Sequence, residues 1–133
     1  MSNQGKICLV CGEGFDPAVA GRLTQVLGQL LGGDFRRVVL PLDSASGMVC
    51  HISSTVGCLA GGVRGVVVVP GNFSPMGIAY FEEGLDAYGY PSVAVVPTAD
   101  TANNLKKAGV AARTASEIFA APPGQLLAAM GFV

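Results

Sequence analysis

The sequence predicts an α/β fold of three layers, with a five-stranded parallel sheet between two layers of helices. Two observations carry this expectation. Almost continuous runs of Val, Ile and Leu recur at KICLVC, VRGVVVVP and PSVAVVP, and strands this apolar along their whole length are buried on both faces, as in parallel sheets covered by helices. Between these runs stand helical stretches opened by cap residues and closed by glycine, a βα beat repeated five times. One α/β domain over residues 1–133 holds all five units, since a chain of 133 residues buries roughly two thirds of its unfolded surface without a disulfide or metal.

Each element has a local reason. KICLVC is the first strand. Asp16 offers a side-chain cap and Pro17 the fixed φ of a first helical position, so DPAVAGRLTQVLGQLLGG is a helix, stopped by Gly32 and Gly33. RRVVLPL is the second strand, and SGMVCHISSTVGCLAGG is a helix ended by another glycine pair. VRGVVVVP follows as the third strand. Ser74 and Pro75 repeat the cap-plus-proline signal and open a helix through PMGIAYFEEGLDAYG, with Gly89 as its stop. PSVAVVP is the fourth strand, residues 101–107 a short helix, and residues 110–112 a brief fifth strand after Gly109. Pro122 and Pro123 interrupt the C-terminal helix, because a proline inside a helix removes a donor and clashes with the preceding turn, and QLLAAM resumes it.

Right-handed crossovers make this a doubly wound sheet in the flavodoxin-like strand order 2-1-3-4-5. Ligands of such sheets bind beyond the carboxyl ends of the strands, where the strand order reverses, here between strands one and three. The walls of that crevice are the loop Cys11, Gly12, Glu13, Gly14, Phe15 and Asp16, and the loop Pro70, Gly71, Asn72, Phe73 and Ser74. Asp43, Ser44 and Ser46 follow strand two, and Thr98, Asp100 and Thr101 follow strand four. Each wall feeds a helix N-terminus, whose free N–H groups and positive dipole end favour an anionic ligand group. Against this, Glu13, Asp16, Asp43 and Asp100 line the crevice and Arg113 is the only base read near a strand end. That balance points away from polyphosphates, towards a neutral or small carboxylate ligand or one that brings a divalent cation. The alternative is two ordinary turns with capping residues.

Charged residues make up 13% of the chain against about 25% in a typical soluble domain, and the deficit is concentrated. From Ser44 to Phe81, Arg64 is the only Asp, Glu, Lys or Arg. Two helices fall in that stretch, and a monomer would coat them with Lys and Glu. The expectation is that a second copy of the chain, or a larger enzyme subunit, covers them. Met48, Ile52 and Val56, with Ile78 or Tyr80, are the expected contact residues. The uncharged QLLAAMGFV is a second candidate contact, with capping of the sheet as the alternative. A net charge of -1 without any Lys/Arg-rich stretch supplies no electrostatic footprint for nucleic acid or an anionic membrane. The polar start MSNQGK runs directly into a strand pattern with no export signal, and the apolar runs are far shorter than the roughly 20 residues that cross a bilayer. A cytoplasmic protein with reduced thiols is expected.

Named cofactor motifs fit poorly. GEGFDP lacks the third glycine of the dinucleotide fingerprint. A flavodoxin phosphate loop carries several Ser or Thr after strand one, absent here, and a receiver domain needs an aspartate where this chain has Pro70, Gly71 and Asn72. No cofactor is assigned.

The cysteines supply the sharpest chemistry. Cys11 ends strand one just before a helix N-terminus, a position where a thiolate is stabilised and its pKa lowered; it is the candidate reactive group. KICLVCGEG resembles the phosphate-cradling loop of phosphotransferase IIB domains, which implies a phosphocysteine carrier, although Phe15, Asp16 and Pro17 stand where those loops carry Ser or Thr. CLVCGEGFDP resembles the first iron-binding knuckle of rubredoxin. Cys50 and Cys58 do not repeat that spacing, and on a strand Cys8 and Cys11 point to opposite faces, so no metal site is assigned. Cys50 lies close enough to the crevice to oppose Cys11, and His51 beside it reads as an interface or core residue.

Two functional classes follow. The first is a small-molecule-binding or enzymatic homo-oligomer with its ligand at the strand one and three crevice, contacted by Gly12, Glu13, Gly14, Asp16, Asp43, Ser44, Gly71, Asn72, Ser74 and Thr98. The second is a non-catalytic assembly subunit.

Overall fold

The computed structural model describes residues 6–12, 14–39, 63–71, 74–87 and 89–132. Glu13, Asp43, Ser44, Ser46, Met48, Cys50, His51, Ile52, Val56, Cys58, Asn72 and Phe73 lie outside them, as does the helix expected after strand two.

The chain is an α/β protein built on a parallel sheet. Its strands are β1 (Lys6–Cys11), β2 (Phe35–Val39), β3 (Val63–Val69), β4 (Ser92–Val96) and β5 (Ala112–Thr114), in the order β2-β1-β3-β4-β5. Every neighbouring pair is parallel, with Cys11 opposite both Val39 and Val69 and with Val96 opposite Thr114. The helices are α1 (Pro17–Leu31), α2 (Pro75–Ala87), α3 (Ala99–Lys107), α4 (Ala115–Ala120) and α5 (Leu126–Ala129).

Strand alternation sorts the core into two layers. On one face Cys8, Val10, Val66, Val68, Ala94 and Val96 pack against Ile78, Phe81 and Leu85 of α2 and against Ala102 and Leu105 of α3. On the other Ile7, Leu9, Cys11, Val67, Val69, Val93 and Val95 meet Val19, Leu23 and Leu27 of α1, Ile118 of α4 and Leu126 of α5. Each large side chain so buried contributes about 1.5–3 kcal/mol, which is why strands with no polar face are stable only between two helix layers.

Caps set the helix ends. Asp16 Oδ1 accepts from the N–H groups of Ala18 at 2.9 Å and Val19 at 3.3 Å, with Pro17 in the first turn, and Gly32 at φ 57° terminates α1. Ser74 Oγ accepts from Gly77 N at 3.1 Å to open α2. Thr98 Oγ1 accepts from Thr101 N at 3.3 Å, so α3 starts two residues before the expected boundary. A reciprocal capping box between Thr114 and Glu117 opens α4.

The fifth strand differs from expectation. It covers Ala112–Thr114 rather than 110–112, because Val110 N and Gly109 N donate to the Leu105 and Lys106 carbonyls and finish α3 instead of entering the sheet. The C-terminal segment caps the sheet. Met130 and Phe132 are buried on the α1 face, and a Cβ placed on Gly65 would lie 2.7 Å from the Phe132 ring. Ile78 also changes place: it is fully buried under α2, whereas Met76 and Tyr80 are 80% and 50% exposed on the outside of that helix. Ile78 therefore belongs to the core and not to an outer contact surface. No helix among the described residues is long and apolar enough to cross a membrane.

Candidate functional site

At the carboxyl ends of β1, β3 and β4 lies a cleft of about 540 Å³. Its first wall is the turn after β1. Gly12 is buried and donates its N–H to the Val69 carbonyl at 2.9 Å, tying the turn to the end of β3. Phe15 N then closes back on the Gly12 carbonyl at 3.1 Å. Gly14 between them has φ 76°, a conformation that side chains other than glycine adopt at a cost. Gly14, Phe15, Asp16 and Pro17 line the cleft from this side.

The second wall is the turn after β3, where Pro70, Gly71 and Pro75 face the cleft. Gly71 sits at φ 65°. The third wall comes from Val95, Val96 and Pro97 at the end of β4 and from Thr101, Asn104 and Leu105 on α3. This wall shifts the cleft towards β4, away from a position strictly between β1 and β3.

Of the residues read from the sequence as ligand contacts, Gly14, Asp16 and Gly71 line this cleft. Gly12 lies beneath it, holding the turn. Ser74 and Thr98 are engaged as helix caps beside it. Asp16 lines the wall while also capping α1, so its carboxylate is already the hydrogen-bond acceptor and the negative partner of that helix terminus. Contrary to expectation, the N–H groups of Ala18 and Val19 on α1 and of Gly77 on α2 are not free for a ligand.

Cys11 is placed away from the cleft lining. Its side chain is fully buried in the layer beneath α1, with Leu9, Val19 and Leu23. Burial pushes the thiol pKa above its ordinary value, and the charge and hydrogen bond of Arg37 offset this only in part. The direction is opposite to the lowered pKa expected at a helix N-terminus, because the sulfur meets apolar side chains of the core. Cys8 lies in the opposite layer, as alternation along β1 requires.

A second base, Arg37, stands within β2 and carries no strand-end signal in the sequence. It is exposed on β2, opposite Leu9 of β1, and its guanidinium carbon stands 5.8 Å from the centroid of the Phe15 ring. Arg113, the base expected near a strand end, donates from Nη1 to the carbonyl of Ala112 at 3.0 Å. Among the described residues that line the cleft, Asp16 is the one ionisable side chain, and no group of three His, Cys, Asp or Glu among the described residues is placed to hold a metal ion.

No protein-family model matches the chain, and the searches of curated proteins and of solved structures likewise found no match.

Proposed function

We propose that this chain is a small-molecule-binding α/β subunit that works as a homo-oligomer, with its ligand held at the carboxyl ends of β1, β3 and β4. The observation that carries this reading is the cleft itself, walled by the turns after three strands. A volume of about 540 Å³ is in the range of small-molecule sites. The strand order β2-β1-β3-β4-β5 supports a flavodoxin-like doubly wound arrangement, in which this end of the sheet is the ligand-binding end. Native mass spectrometry of freshly purified protein tests the reading: a small molecule retained at one per chain supports it, and a spectrum of bare chains after gentle purification counts against it.

The homo-oligomer is supported by the outer face of α2. Met76 and Tyr80 stand one turn apart there, large and exposed, next to a stretch almost without charge. This same face supports the second reading, a non-catalytic assembly subunit of a larger enzyme in a reducing, cytoplasmic setting. Equilibrium sedimentation separates the two, since self-association at micromolar concentration favours the homo-oligomer and a monomer favours a different partner. The phosphocysteine reading finds less support, since it needs a thiolate at Cys11 and the thiol is buried with a raised pKa.

A further inference from the structure

Resting on the reading of this cleft as a ligand site, we infer that it takes an uncharged molecule: a ring-sized apolar body with one amide-like or lactam-like edge, read by Asn104 and Thr101.

The cleft collects the N-terminal ends of α1, α2 and α3, an arrangement that ordinarily recruits phosphate or carboxylate through unpaired N–H groups. Here the helix-terminal donors on the cleft wall are spent. Pro17 and Pro75 have no N–H to offer. The N–H groups of Ala18 and Val19 are held by Asp16, that of Gly77 by Ser74 and that of Thr101 by Thr98. The remaining first-turn residues of α2 and α3, Met76, Ala99 and Asp100, are not part of the cleft wall. An anion entering would also meet the Asp16 carboxylate with no described cationic side chain on the wall to balance it.

What the cleft does offer is apolar surface and a polar pair. Phe15, Pro17, Pro70, Pro75 and Pro97 give it rigid, hydrocarbon-rich sides. Thr101 and Asn104 lie three residues apart on α3, hence neighbours on one helix face. The Asn104 amide presents a donor and an acceptor together, the complement of an amide or lactam edge. The Thr101 hydroxyl, 2.9 Å from that of Thr98, retains further hydrogen-bonding capacity.

Amide chemical-shift mapping of the full chain tests this with two fragment panels of matched size, one of lactams, cyclic ureas and uncharged nucleobases, the other of aromatic carboxylates and phosphate monoesters. The expected result is that neutral fragments move the resonances of Gly71, Thr101 and Asn104 while the anions leave them in place. Asn104→Ala, a change on an exposed helix position that leaves the fold intact, is expected to weaken the neutral hits by about tenfold. Binding of the anionic panel at these resonances, or neutral hits indifferent to Asn104→Ala, would overturn the inference while leaving the cleft as a site. Silence of both panels would overturn the site reading on which it rests.

Discussion

The carboxylate of Glu82 on α2 accepts a hydrogen bond from the backbone N–H of Ala111 at 3.1 Å, joining a helix to the lead into β5 across 29 residues. Its Oε2 atom is buried and has no partner among the described residues. Burial raises the Glu82 pKa to about 7, with the hydrogen bond from Ala111 opposing the rise. The folded protein thus keeps a proton that the unfolded chain releases near the ordinary value of 4.5. Stability from this group is fully present below that ordinary value and is lost as pH rises through about 7. Thermal melts between pH 5 and 8 should show Tm falling with pH, an effect on the order of 1 kcal/mol after allowing for partial exposure. Glu82→Gln, which keeps the acceptor for Ala111, should flatten the slope; an unchanged slope would show that another group is responsible.

Gly65 and Phe132 form a second long-range pair. A methyl group at Gly65 would meet the ring at 2.7–2.8 Å, and the ring is held by the core on one side, so Gly65→Ala should cost about 1–3 kcal/mol. Phe132→Ala should cost about 3–5 kcal/mol by leaving a cavity. The double variant should lose less than the two single losses together, since the clash needs both groups. Urea denaturation of all four proteins checks this, and strict additivity would mean that the C-terminal segment does not pack on β3.

Cys11 should behave as a core residue. Treated with iodoacetamide at pH 7.5 and mapped by peptide mass spectrometry, it should stay unmodified in the native protein and react in denaturant, because the thiol is fully buried and its pKa is raised. Rapid native alkylation would restore it as a nucleophile.

Much of this fold is legible because its signals are local. Asp16 before Pro17 and Ser74 before Pro75 announce helix starts through contacts two or three residues away, and valine runs announce buried strands. Periodicity also marks Ile78, Phe81 and Leu85 as one inward stripe of α2, and of the pair Ile78 or Tyr80 it is Tyr80 that faces outward. Val110, an apolar residue beside a glycine, has the local pattern of a strand, whereas its N–H completes α3. Arg37 and Asn104 were out of reach for a different reason. Arg37 nears Phe15 because β2 pairs with β1, and Asn104 faces the cleft because α3 packs beside the end of β4. No short sequence window carries either relation.

The Asp16 cap on the cleft wall offers a test of the inferred preference for uncharged ligands. Asp16→Ala should destabilise the protein by about 1 kcal/mol through loss of the cap and free the Ala18 and Val19 donors. Sulfate should then raise the Tm of the variant more than that of the unsubstituted protein. Equal responses would show that the α1 terminus does not govern anion exclusion.

The most direct measurement is an electron-density map of crystals grown from protein purified without dialysis. A ligand at the ends of β1, β3 and β4 should appear as non-solvent density between Phe15, Pro70 and Asn104. Ordered water alone in that cleft, with a bound molecule located elsewhere on the protein, would contradict the account.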